Sequence, residues 1–387
     1  MMENTYTISN KLKALAGVLI LIGAVAIVHG FMSDPARTWN NILLNNMYYI
    51  SISMGALLFF SLQYITNSGW SALFQRIPLA LGAWLPVGAL FMLLLYFGLP
   101  DIYKWAQPGI TETDKLILHK QPFLNVPFYM IRIVLYFAMW LGLFVVLRRY
   151  ALREDSTTDL TPFSKLRYYS KVFIFVAAFF FSLAAMDWIM TIDAHWYSTL
   201  FGFRAAVTSI YYAVAVIILI IFWLRRLGFF GEFNDAHRHD FARYLFRFSI
   251  VWGYLWFMQF LIIWYANIPE LTAYYYPRFI GEWRVLFYSE PLINFAIPFI
   301  VMMSDDVGKN KIVMKTISIL LIFGLWISLF LQIMPGSTGL LRFGFIEAGS
   351  WLGFTGLFLL LVFSALGKAP LTPKNHPQLH ESIHHHI

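Results

Sequence analysis

Ten apolar runs, each close to the length of one membrane crossing, recur along this 387-residue chain and leave little choice of fold. They lie near residues 12–33, 46–67, 78–100, 123–148, 170–192, 199–224, 243–266, 285–303, 312–333 and 345–366. About 20 apolar residues in a helix cover the ~30 Å hydrocarbon layer. Within that layer only helices and closed barrels satisfy their own backbone groups. Runs of this length predict an all-α polytopic membrane protein. The eighth is the least regular, because Glu290, Pro291 and Pro298 interrupt it. The connections are short, which makes consecutive helices antiparallel neighbours. Ten helices allow two four-helix bundles plus two extra helices. Residues 1–371 are read as one transmembrane domain, and 372–387, with His384, His385 and His386, as a polar, disordered C-terminal tail.

Lys and Arg set the orientation. With the first residues inside, nineteen basic residues fall in inner segments, seven in outer segments, and Arg132 and Arg204 within runs. The bias places both termini in the cytoplasm. Lys11 and Lys13 precede the first run without a small-residue cleavage site after it, so that run reads as a helix rather than a signal peptide. The net charge of +8 belongs to these loops and gives no reason to expect nucleic acid. The outer loop from Asp101 to Pro122, with Trp105, Pro108 and Gly109, is a candidate partner contact.

The chain has no cysteine, which excludes cysteine-ligated iron–sulfur clusters and thiolate metal sites. His29 is the only histidine well inside a run, so the paired axial ligands of a haem bundle are not found. A role in electron transfer would therefore leave the cofactors to other chains.

Chemistry concentrates in Met186–Arg204, where Asp187, Asp193, His195, Trp188, Trp196, Tyr197 and Arg204 fall within a short span. Ionisable groups at membrane depth are costly and commonly functional. Asp187, Glu290, His29, Arg132, Arg204, Asp193 and His195 lie from mid-membrane towards the outer face and form a candidate proton path. The competing reading pairs Arg132 and Arg204 with Asp187 or Glu290 as structural ion pairs. An interfacial turn exposed to water would equally account for Asp193 and His195. A second stretch, Ile263 to Leu271, continues to Tyr274 and Arg278. Trp264, Asn267, Glu270, Tyr274 and Arg278 are candidate subunit contacts, because aromatics and Arg favour interfaces. An anchored interfacial loop is the plainer reading.

The Asp187-Trp188, His195-Trp196-Tyr197-Ser198-Thr199 and Phe201-Gly202 string resembles a hallmark of one membrane subunit of bacterial alternative complex III. Trp264-Tyr265-Ala266-Asn267-Ile268-Pro269-Glu270 is similar to that subunit's second hallmark, and length and ten-run layout are similar as well. The resemblance is to the smaller, ActF type of polytopic subunit, related to the larger NrfD or polysulfide-reductase type. It implies a multi-pass subunit of the bacterial cytoplasmic membrane in a quinol:electron-acceptor oxidoreductase of the respiratory chain. Haem c and iron–sulfur clusters would sit in partner subunits, and quinol in the larger ten-helix subunit. This chain would carry no redox cofactor and would supply a proton half-channel; its other implied partners are membrane lipids, quinone and a terminal oxidase. Two other classes remain open. A structural scaffold would tolerate replacement of its buried acids without kinetic loss. A secondary transporter would show inverted repeats and paired broken helices at the midplane.

Overall fold

Helix ends fall where the sequence supplies caps. Ser9, Asp34, Asn125, Asn234 and Asn310 each accept a backbone N–H of the first turn that follows. Asn67 and Asn267 close helices in the left-handed region, with φ of 51° and 47°. In the computed structural model, which describes residues 5–386, these ends delimit ten helices long and apolar enough to cross a membrane. They are α1 (Asn10–Ser33), α2 (Pro35–Thr66), α3 (Arg76–Ile102), α4 (Val126–Ser156), α5 (Thr161–Ile192), α6 (Thr199–Arg226), α7 (Asp235–Ala266), α8 (Gly281–Met302), α9 (Lys311–Ser337) and α10 (Phe345–Leu366). No strand occurs among the described residues. The chain is a multi-pass membrane protein.

The helices α2, α3, α4 and α5 close one bundle, and α6, α7, α8 and α9 close a second. Helices α2 and α6 pack along each other at the centre and join the two. Accordingly α2 is buried along its whole apolar length, while α1 and α8 are largely exposed. The pair α1 and α10 lies outside both bundles, against α2 and α3. Small residues set both close crossings. A Cβ on Gly23 of α1 would run into the backbone of Gly353 in α10, and one on Gly55 of α2 into the backbone of Ser209 in α6.

Three features depart from expectation. First, α2 begins at Pro35 rather than near residue 46, and its first turns are polar yet buried. Asn40, Asn41, Asn45 and Asn46 are fully enclosed by protein. Low hydropathy there signals a buried polar face, not a loop. Second, the Asp101 to Pro122 loop folds back on its own chain. Trp105 is buried, the Tyr103 hydroxyl donates to the Trp188 carbonyl at 2.8 Å, and Lys120 Nζ donates to the Ala194 carbonyl at 2.6 Å.

Third, the C-terminal tail is docked rather than disordered. Leu379–Ile383 forms a short helix, α11. The buried Ser382 hydroxyl donates to the Trp70 carbonyl at 2.6 Å and accepts from the Leu73 N–H at 3.1 Å. Lys374 N–H donates to Asp155 at 2.9 Å, and the amide of Asn234 donates to the His385 carbonyl at 2.8 Å. The polar residues of the tail satisfy loop ends that would otherwise lack partners. His376 is buried between Tyr64 and Phe163, and that burial pushes its imidazole down to about 4.

Candidate functional site

Four largely buried arginine–carboxylate pairs lie in the half of the molecule that holds the α1–α2 and α9–α10 connections; a fifth, Arg342 with Asp34 at 3.5 Å, is exposed. In the first bundle, Arg132 of α4 donates through Nε to Asp187 of α5 at 2.7 Å, and the Tyr136 hydroxyl donates to the same oxygen at 2.6 Å. Arg132 Nη1 reaches the Phe123 carbonyl at 2.9 Å, and its guanidinium lies 3.9 Å from the centre of the Phe123 ring. Both charges are nearly enclosed, at 7% and 3% side-chain exposure. The Tyr103 hydroxyl, bonded to Tyr129 at 2.9 Å, closes the site from the folded-back loop.

In the second bundle, Arg204 of α6 donates to Glu290 of α8 at 3.2 Å and to Gln259 of α7 at 3.2 Å. The Ser328 hydroxyl and the Trp256 indole N–H also donate to Glu290, at 2.7 and 2.8 Å. Glu290 stands where α8 loosens into a π turn, Leu292–Ala296. Proline explains the distortion. Pro298 has no N–H to offer the carbonyl of Asn294 four residues back, and the Tyr211 hydroxyl donates there instead at 3.2 Å. The Asn294 amide in turn donates to the Glu290 carbonyl at 3.0 Å, and the Tyr212 hydroxyl donates to Asn294 Oδ1 at 3.0 Å. Beside this cluster lies a cavity of about 30 Å³ lined by Arg204, Thr208, Ser209, Tyr212, Ser328 and Gln332, among others. The rest of the lining is apolar, Ile189, Phe201, Leu325 and Leu329 included, but a cavity of that size with these polar partners has room for a water.

The third pair joins Arg37 of α2 to Glu347 of α10 through two bonds, 2.6 and 2.5 Å, with the Asn41 amide at 3.0 Å. The fourth is Arg278, buried in the α7–α8 connection. It donates to Asp193 at 3.2 Å and to the Leu331 carbonyl of α9 at 2.9 Å. Its guanidinium lies 3.5 Å from the centre of the Tyr274 ring, which stacks on Trp196 at 3.8 Å.

The expected residues therefore separate. Arg132 joins Asp187, and Arg204 joins Glu290; no hydrogen bond links the two acids. Asp193 meets Arg278, which was expected at a subunit interface. His195 is exposed and bonds Asp114 at 2.6 Å. The Ile117 N–H, and after it the histidine, hold the Asp114 carboxyl below its ordinary range. His29 stands apart on the exposed face of α1, its ring 6.0 Å from that of Phe345. Of the five interface candidates, Trp264, Asn267 and Glu270 are exposed. Tyr274 and Arg278 are buried inside the chain and present nothing to a partner. The asparagine face of α2 and its Arg37–Glu347 anchor escaped sequence reasoning. The doublets Asn40-Asn41 and Asn45-Asn46 were the available signal: both place amides on neighbouring faces of one helix.

No protein-family model matches the sequence, and no curated protein matches it significantly.

Proposed function

We propose that this chain is a cofactor-free membrane subunit of a quinol-oxidising respiratory complex, of the ActF type of alternative complex III, and that Glu290 passes protons within it. The observation that carries the reading is the Glu290 cluster. A carboxylate is held by one arginine, one hydroxyl and one indole N–H, next to a partly polar cavity with room for a water. Ser328 bonds Glu290 and also lines the cavity, as does Arg204. A proton leaving Glu290 would have the Ser328 hydroxyl and a space with room for a water as its next stations. The π turn adds local freedom where the acid sits, as such turns do at many functional sites.

Asp187 supports a different role. Arg132 and Tyr136 both engage one of its oxygens, and neither partner lines the cavity, whereas Arg204 and Ser328, which bond Glu290, both do. In this proposal Asp187 is a structural ion pair. The basic-residue bias supports cytoplasmic termini; on that orientation, in the bacterial cytoplasmic membrane of this proposal, the four buried pairs lie in the outer half. Exposed Trp264, Tyr265, Ile268 and Glu270 offer a surface for the larger, quinol-oxidising subunit.

The test is Glu290→Gln in the assembled complex. Slower proton release per quinol, with unchanged subunit and haem content, supports the reading. Wild-type turnover and stoichiometry would leave a scaffold as the better account.

A further inference from the structure

A groove of about 560 Å³ runs along the outside of the first bundle. One stripe of α5 forms its floor, with Lys171, Ile174, Phe175, Ala178, Phe179 and Ser182 recurring at helical spacing. Ile65 of α2 and Phe203 of α6 form the walls. Phe175 and Phe179 are 76% and 56% exposed, so the floor is open to the lipid phase.

Its dimensions and polarity narrow the occupant. From Lys171 to Ser182 the helix rises by roughly 16 Å. That is about half of the ~30 Å hydrocarbon layer, the depth of one leaflet. The interior is apolar, and one end is cationic. Arg167 lies one turn before Lys171 on the same stripe, and its Nε is buried without a partner. Neither cation makes an ion pair among the described residues. An apolar groove about one leaflet deep, with Lys171 in its lining and Arg167 one helical turn beyond, complements an amphiphile with an anionic head.

We infer that this groove binds an anionic phospholipid, its phosphate at Lys171 and Arg167 and one acyl chain along Ile174, Phe175, Ala178 and Phe179. An isoprenoid quinone would suit the apolar floor and make no use of the cations.

Native mass spectrometry of the purified full chain, in whatever complex it purifies with, tests the site. The probes are phosphatidylglycerol and phosphatidylcholine. One phosphatidylglycerol should bind roughly thirtyfold more tightly than phosphatidylcholine, given two cations near the surface. Arg167→Gln with Lys171→Gln should erase that preference. Ala178→Trp, which fills the groove, should abolish the tight site for both lipids. Lys115→Gln, in the loop before α4, should change nothing. Lys171→Gln alone gives the same comparison, with a smaller shift, if the double variant fails to assemble. Equal binding of the two lipids, or a preference that survives both the charge and the groove variants, overturns the inference. So does displacement of the bound lipid by a quinone equally well in wild type and charge variant.

Discussion

Arg278 donates through Nε to the carbonyl oxygen of Leu331 at 2.9 Å, the carbonyl that Pro335, four residues on, cannot serve. The same guanidinium reaches the Gln332 carbonyl at 3.3 Å, Asp193 at 3.2 Å and the Tyr274 carbonyl. One side chain therefore ties the end of α9 to the Met186–Arg204 stretch. The backbone N–H missing at Pro335 and the arginine form a single device.

Arg278→Gln should be severely destabilising. It strands Asp193 and several buried carbonyls, and breaking a buried pair from one side costs ~3–5 kcal/mol. Pro335→Ala restores an N–H to the Leu331 carbonyl, so Arg278→Gln should cost less in that background, by about 0.5–3 kcal/mol of coupling. Thermal unfolding of the four proteins in one detergent measures it. Strict additivity would separate the two residues.

Asp187→Asn and Glu290→Gln should differ in kind. Asp187→Asn leaves the buried Arg132 without its counter-charge and should lower the unfolding midpoint or impair assembly. Arg132→Met combined with Asp187→Leu should recover much of that loss, since apolar replacement of a whole buried pair is often neutral. Glu290→Gln also removes the counter-charge of a buried Arg204, but the new carboxamide and Gln259 can still accept from that arginine, so it should assemble with a lowered midpoint and fail in proton release. Normal assembly of Asp187→Asn with lost proton release would exchange the roles.

The docked tail should respond to acid. His376 is held at about 4 by burial, while an exposed histidine titrates near 6.5. The undocked tail therefore binds a proton more readily. Docking is at full strength above pH 6.5, weakens as pH falls towards 4, and levels below it. The total change is on the order of 3 kcal/mol. Hydrogen exchange at the Leu73 N–H, which the tail's Ser382 accepts, should quicken relative to unstructured controls across that window. His376→Phe should flatten the response. Equal pH dependence in both proteins would place the switch elsewhere.

Orientation is open to a direct test on this cysteine-free chain. Thr113→Cys in the loop before α4 should react with an impermeant thiol reagent in intact cells, and Thr158→Cys in the α4–α5 loop should not, as the basic-residue bias requires. The reverse pattern would turn the four ion pairs towards the cytoplasm.

The ten crossings were legible because hydropathy acts locally: an apolar run of sufficient length has one stable place, whatever its neighbours. The scarcity of charge inside those runs also picked out Arg132, Asp187, Arg204 and Glu290 before any packing was known, since membrane burial is costly for each one separately. Which partner each charge takes was beyond the reach of the sequence. Arg37 and Glu347 lie at opposite ends of the chain and meet only because α1 and α10 fold beside α2. The same holds for the asparagine turns of α2, which read as loop until surrounding helices enclose them, and for a polar tail whose Ser382 finds its bonds on residues 70–73. Charge pairing and polar satisfaction are properties of a site, and a site assembled from distant segments exists only once the helices have packed.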